Sequence, residues 1–304
     1  MDEVYDTIFG ADFTTVSEAE EFKQRLAKGG PFPMFTSCCP AWVKYLEFEN
    51  PKYLKNISTC KSPMQMFAAV LRDQYAAKDA ADGLTTFHIA IMPCTAKKME
   101  AARPEFRHDG RPDVDLVLTT REIIDMLRET GIKLDELELE SPDLPFGMGS
   151  GASMIYGASG GVAESVVRHC VPDKSKNALR EIEYMGLRGN GNIKEATLEL
   201  NGQEIRLAVV NGLANARKLL RDIDEGKVFY HLVEVMTCQG GCVGGGGQPQ
   251  SLRVTKESRR DGLAKADHSA SFKRAERNPV VMQMLHEMGE EKAHRLLHVS
   301  YLHE

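Results

Sequence analysis

Apolar and polar residues recur along this chain with two different periods, and each period marks its own elements. Helical spacing covers residues 14–28. Thr15 followed three residues later by Glu18 has the form of a capping box, and Gly29-Gly30 supplies a stop. A short strand is expected over 31–36. Pro40 then opens a second helix whose inner side is Trp42, Val43, Leu46 and Phe48. Ser62-Pro63-Met64-Gln65 starts a third by the same logic. Apolar runs at 87–92 and 114–118 predict buried strands. The second feeds a helix over 121–128 capped by Thr119 and Glu122. Alternation on either side of Asn201-Gly202 predicts a hairpin, 196–200 against 204–210. A helix over 213–223 and an apolar strand over 229–236 follow. The last 25 residues are helical, with Val281, Met284, Leu285, Met288, Leu296 and Leu297 on one side. Strands and helices alternate, so the expected class is α/β with mixed sheets. The small residues of 149–161 suggest a hinge between two lobes, about 1–150 and 151–304. Residues 250–275 are polar and predict an exposed loop or surface helix.

Composition narrows the function. The 304 residues are 42% hydrophobic and 27% charged, an ordinary globular profile that excludes collagen, coiled coil and disorder. A net charge of −6 counts against nucleic-acid binding. No run of 18 apolar residues predicts a membrane span. The N-terminus resembles no secretory or transit signal, so a cytoplasmic location is expected. The seven cysteines are an odd number, and without a signal peptide they point to metal ligation or catalysis rather than a disulfide framework.

Five of the seven fall in three short segments. These are Thr36-Ser37-Cys38-Cys39-Pro40-Ala41-Trp42, then Met92-Pro93-Cys94-Thr95-Ala96-Lys97-Lys98-Met99-Glu100, then the stretch from Glu234 through Met236, Cys238 and Cys242 to Gln248-Pro249. Each places cysteine at a strand end or helix start, where ligands bind in α/β folds and thiolates are favoured. Four thiolates, Cys39, Cys94, Cys238 and Cys242, satisfy the needs of an iron–sulfur cluster. Gly244–Gly247 would let backbone approach it closely. That run lacks the Lys-Ser/Thr of a P-loop. Cys60 and Cys170 sit in no motif and read as small buried hydrophobes.

Together the segments resemble the FeFe hydrogenases, whose signatures Thr-Ser-Cys-Cys-Pro-x-Trp, Met-Pro-Cys-x-x-Lys-x-x-Glu and Glu-x-Met-x-Cys-x-x-Gly-Cys-x-x-Gly-Gly-Gln-Pro occur in this order. The resemblance spans nearly the whole chain and treats 1–304 as one catalytic domain. It implies reversible hydrogen oxidation and proton reduction at an H-cluster in the cleft between two lobes, each a mixed twisted sheet flanked by helices. That cofactor is a 4Fe–4S cubane joined through a cysteine to a diiron subsite with carbon monoxide, cyanide and azadithiolate ligands. By motif position Cys39, Cys94, Cys238 and Cys242 hold the cubane, with Cys242 as the bridge. Lys97, Ser62 and the Pro63 backbone meet the cyanides, and Met236 packs beside the diiron unit. Cys38 relays protons, with Glu18, Ser58 and Glu21 leading outward. The implied partners are a ferredoxin or electron-transfer subunit and maturation proteins. Ferredoxin-type cysteine runs are missing, so no accessory domain is expected. An upstream Ala-Pro pair usual in the family is also missing, which suggests a split or shortened enzyme or a partner chain supplying that part. Met64, Ala163 and Tyr156 depart from the family's usual glutamine, methionine and phenylalanine. The rival readings are a hydrogen sensor, a cubane-only iron–sulfur assembly protein and a zinc-stapled structural protein.

Overall fold

The computed structural model of the chain describes residues 2–108, 110–189, 191–250 and 254–302. Of the polar stretch expected over 250–275, residues 251–253 lie outside the described residues. Along the chain run α1 (Ile8–Lys28), β1 (Met34–Phe35), α2 (Pro40–Glu49), α3 (Pro63–Asp82), β2 (Ile89–Met92), α4 (Ala96–Ala101), β3 (Arg107–His108), β4 (Arg111–Pro112), β5 (Leu116–Thr119) and α5 (Thr120–Glu129). Then come α6 (Gly151–Met154), α7 (Gly161–Cys170), α8 (Lys176–Tyr184), β6 (Ile193–Leu200), β7 (Gln203–Asn211), α9 (Leu213–Asp224), β8 (Leu232–Met236), α10 (Lys256–Ser269) and α11 (Pro279–Leu297).

The main sheet has strand order β1-β8-β7-β6. The β6–β7 hairpin is antiparallel, pairing Leu200 with Gln203 around Asn201 (φ 52°) and Gly202 (φ 79°), while β7–β8 and β1–β8 are parallel. Asn and Gly are the residues that tolerate two successive positive φ angles. All of β8 is buried. Side chains alternate between its faces. Phe35, Trp42, Val210 and Val233 fill one side with α2 and α9, and Leu207, Val209, Leu232 and Val166 fill the other with α7. The α/β class with a mixed sheet is therefore realised here. The second sheet, β2 with β5, is a parallel pair rather than a mixed sheet.

Several expectations are corrected. The first helix begins at Ile8, two turns before the expected start. Thr15 is thus interior, donating to Ala11 O at 2.8 Å, and Glu18 is a buried mid-helix residue rather than half of a capping box. Apolar Phe9, Phe13 and Phe22 extend the buried stripe, and helix continuity follows that packing. The run at 87–92 is not a buried strand. Only its inner face, Ala90 and Met92, packs against Met64, Ala68 and Val117, while Ile89, Ile91 and Leu116 stay exposed on a two-stranded sheet. Phe48 also points to solvent. The expected α5 capping box is present in both directions.

The 149–161 stretch is packed rather than loose. Asp12 of α1 accepts from the Ser150 N–H at 2.9 Å and from its hydroxyl at 2.5 Å, and Asn278 Nδ2 donates to the same carboxylate at 2.9 Å. Gly10 lets α1 cross the start of α3, since a Cβ there would stand 2.3 Å from Pro63 O. In this way α1 becomes the central strut against which α3, α6, α7 and α11 all pack. No helix among the described residues is long and apolar enough to cross a membrane.

Candidate metal centre

The three cysteine segments meet because the sheet and one glycine strap bring them together. β1 pairs beside β8, and Thr36 N–H extends the pairing by donating to Val233 O at 3.1 Å. The first and third motifs thus leave neighbouring strands in the same direction. Cys39 becomes the N-cap of α2 with extended backbone, and its Sγ donates to Thr237 Oγ1 at 3.3 Å. Cys238 and Cys242 follow β8 directly. Cys94 follows β2 and is clamped by the third motif, because Gly247 N–H donates to Pro93 O at 3.0 Å. A Cβ on Gly247 would lie 2.8 Å from Cys94 N, and one on Gly245 would lie 2.1 Å from Pro93 O. The glycine run therefore packs motif against motif.

Cys39, Cys94, Cys238 and Cys242 are half-buried free thiols that feel one another. Burial, then Cys39 and Cys94, push Cys242 up to about 12, with Lys97 pulling the other way. Burial and the same two thiols raise Cys238, and the Gly246 N–H opposes them. Ligation by such thiols must release protons. No three of the four sulfurs are among the groups of ligand atoms within 4.8 Å of one another among the described residues. A single tetrahedral zinc needs sulfurs only about 3.8 Å apart. The four sulfurs are therefore not gathered as tightly as a single-ion site would hold them.

Beside it, Lys97 on α4 is buried, and its Nζ donates to Glu100 Oε2 at 2.8 Å and to Cys38 O at 3.2 Å. Burial lowers its pKa, but the Glu100 carboxylate outweighs this and raises it, so it stays cationic. Ser62 donates to the same Glu100 oxygen at 3.0 Å while capping α3, and Pro63 occupies that helix's first turn. Met236 ends β8 in a small apolar group with Ala11, Tyr156, Val162 and, at its edge, Cys38.

Cys38 faces inward toward two buried carboxylates. Burial, then Glu18 and Glu234, push its thiol well above the usual range. Neither oxygen of fully buried Glu18 has a hydrogen-bond partner among the described residues. Burial and Glu21 push Glu18 up to about 8, although Ser58 and the Ser37 N–H face it and offset part of that. Glu18 and Glu21 share one face of α1. Ser58 Oγ donates to Glu21 Oε2 at 3.1 Å, and Arg25 pairs with the other Glu21 oxygen at 2.5 Å. Cys38, Glu18, Ser58 and Glu21 thus lie in one file from the cysteine quartet to the partly exposed flank of α1.

Two acids were missed as site residues although the motifs contain both. Glu100 is the shared anchor of Lys97 and Ser62. Glu234 caps α7, accepting from Gly160 N–H at 2.6 Å and Ala163 N–H at 2.8 Å, and burial pushes it up to about 7. Tyr156, where the family usually has phenylalanine, packs in the apolar group that Cys38 borders, and its hydroxyl lies 3.0 Å from Thr15 Oγ1.

Residues 1–246 match the family model described as iron only hydrogenase large subunit, C-terminal domain, and residues 254–304 match iron hydrogenase small subunit. The chain is 40% identical to iron hydrogenase 1 of Clostridium pasteurianum over 99% of its own length and 54% of the relative's. It is 34% identical to cytosolic iron-sulfur assembly component 3 of Rattus norvegicus, over 98% and 66%. A structure of apo FeFe-hydrogenase from Chlamydomonas reinhardtii superposes with a TM-score of 0.80 at 32% identity, covering 99% of this chain and 84% of that one. The chain spans about half the length of the curated hydrogenases it matches.

Proposed function

The chain belongs to the iron-only hydrogenase family, and from that premise we propose that it interconverts protons and hydrogen, 2 H+ + 2 e− ⇌ H2, at an H-cluster held by Cys39, Cys94, Cys238 and Cys242. When bound, that group supplies the redox iron and the basic amine at which electrons and protons meet. The donor set supports the fit: four half-buried thiols brought together from three segments, a buried ammonium beside them, and a backbone strap without side chains at its closest approach.

The chain's own residues then divide the work. Lys97, fixed by Glu100, and Ser62 with the Pro63 backbone are assigned to the anionic cyanide ligands, where charge-assisted hydrogen bonds are strongest. Met236 packs against the diiron side. Cys38 gives and takes a proton at Sγ, and Glu18, Ser58 and Glu21 pass it outward. Near neutral pH a carboxyl with a pKa of about 8 holds or releases its proton at little cost, as a relay needs. Electrons come from a ferredoxin or an electron-transfer subunit, and maturation proteins build the diiron unit in the cytoplasm. We read 1–304 as one H-cluster unit with lobes near 1–150 and 151–304.

One observation carries this reading: Glu18, a fully buried carboxyl with no ion pair among the described residues and with Ser58 and the Ser37 N–H facing it, stands between the Cys38 thiol and the flank of the protein. The similarity to the iron–sulfur assembly component sustains a second reading, an assembly protein that holds only a cubane. An infrared spectrum after anaerobic loading with a synthetic diiron cofactor separates the two. Metal-bound carbon monoxide and cyanide bands that survive washing, followed by hydrogen evolution, are expected. A cubane spectrum without those bands favours the assembly reading, and bands with negligible turnover favour a sensor.

A further inference from the structure

The polar file does not stop at Glu21. Its Oε2 accepts from Ser58 Oγ and also from the Thr59 N–H and Thr59 Oγ1, both at 2.9 Å. The same Thr59 hydroxyl lies 2.8 Å from Nδ1 of His298, the residue that follows α11. Main-chain bonds hold the two strips in register: Val299 N–H donates to Thr59 O at 2.7 Å and Lys61 N–H to Leu297 O at 2.8 Å. The His298 ring stacks on His294 with centroids 4.8 Å apart. It also lines an open cavity of about 590 Å³, together with Arg107, Arg111 and Arg295, with Asp73, Asp79 and Glu105, and with buried Lys61.

We propose that Thr59 and His298 form the outer arm of the proton relay, with His298 collecting protons from this cavity and Thr59 handing them to Glu21. The proposal rests on the hydrogenase reading for the direction of traffic, while the geometry of the arm stands on its own. The step balances. A proton taken up at His298 Nε2 makes an imidazolium. Nδ1 gives its proton to Thr59 Oγ1, and the hydroxyl gives its own to the Glu21 carboxylate. The ring is left neutral as the Nε2–H tautomer, so before the next proton enters it must return to the Nδ1–H tautomer by exchange with cavity water, and the Thr59 hydroxyl must rotate back toward Glu21. A hydroxyl suits this place because it donates and accepts at once.

The surroundings favour transient charging of the ring. Burial lowers the His298 pKa, as do His294 and Lys61, while Glu21 raises it. Arg295 adds to the cationic side from α11. The Cys60 thiol completes the environment, 3.9 Å from Glu21 Oε2 and 4.0 Å from His298 Nδ1. Burial and Glu21 keep that thiol protonated. Cys60 is therefore more than the inert hydrophobe its sequence suggested. The arm also gives residues 254–304 a part in the chemistry of residues 1–246.

The test uses the loaded full chain with Thr59→Val, Thr59→Ser and His298→Gln. Thr59→Val is expected to lower hydrogen turnover about tenfold, and Thr59→Ser to restore it. His298→Gln is expected to lower it several-fold, with the loss growing as pH rises and protons become scarce. Iron content and infrared bands should be those of the parent in all three. A readout independent of turnover is the nitrogen-15 resonance of His298 in the cofactor-free protein. Thr59→Val should shift Nδ1 by removing its hydrogen bond, and Glu21→Gln should lower the ring's titration midpoint. Parent rates in both Thr59→Val and His298→Gln, with Cys38→Ala inactive, would overturn the arm and leave the hydrogenase reading standing. If the loaded parent evolves no hydrogen, that reading falls and the arm is decided by the resonances: unmoved Nδ1 and midpoint reject it.

Discussion

Two regions of this protein bury carboxylates to nearly full depth and compensate their charge by different means. Around Arg168, Glu164 and Asp267 are neutralised. The guanidinium reaches Glu164 at 2.7 Å and both oxygens of Asp267 at 2.7 and 2.9 Å, and Arg188 adds a contact to Glu164 at 2.6 Å. This cluster ties α7 to α10. On the inner side of α1, Glu18 faces Ser58 and the Ser37 N–H, and Glu234 of β8 accepts from backbone N–H groups, with no ion pair to either among the described residues. Burial raises the carboxyl pKa of Glu164 as well as that of Glu18, but Arg168 and Arg188 oppose the rise at Glu164, whereas Ser58 and the Ser37 N–H, not a cation, oppose it at Glu18. The arrangement at Glu18 suits a group that must gain and lose a proton, and that at Glu164 suits a clasp between elements.

That contrast can be broken at either end. Cys38→Ala, at the inner end of the uncompensated file, is expected to cut turnover about 10²–10⁴-fold with iron content and infrared bands unchanged. Near-normal hydrogen evolution would remove Cys38 from the relay. Arg168→Met leaves Glu164 and Asp267 buried without their main partner and should cost about 3–5 kcal/mol. Thermal unfolding of the cofactor-free chain reads this directly, and an unchanged Tm would mean that the cluster is not the clasp described here.

Glu18→Gln should do the reverse, lowering turnover about tenfold to a hundredfold while leaving stability at pH 8 equal or higher. Its pH signature is the finest test. Glu18 titrates near 8 when folded against an ordinary 4.5. Between those values the folded state keeps a proton that the unfolded chain has lost. Its cost to stability is therefore absent below about 4.5, grows as pH rises and levels off above about 8. Denaturant titrations across that window should show a slope in the parent that Glu18→Gln flattens. Equal slopes would place the folded Glu18 close to its unfolded behaviour and dissolve the contrast between the two regions.

Much of this was legible in the residue pattern, and the failures have physical causes. Asn201-Gly202 announced its hairpin, and Thr119 with Glu122 announced their cap, because both devices are local. The start of α1 was misplaced because Thr15 and Glu18 mimic a cap, while the aromatic residues that extend the helix gain their stability from α3 and α11. The 87–92 run was read as buried because apolarity alone says nothing about which strands and helices cover a face.

The order and spacing of the cysteines, Lys97 and the glycines by themselves identified the family and pointed to a donor set, since a cluster's chemistry requires thiolates and close backbone at set intervals. Only the tertiary structure decided that Glu100 anchors Lys97 and Ser62, that the glycine run clamps Pro93 and Cys94, and that His298 meets Thr59 across 239 positions of chain. Contacts of that range are set by how helices and sheet pack. They leave no period or motif behind, and the charge state of a buried acid depends on what packing places beside it.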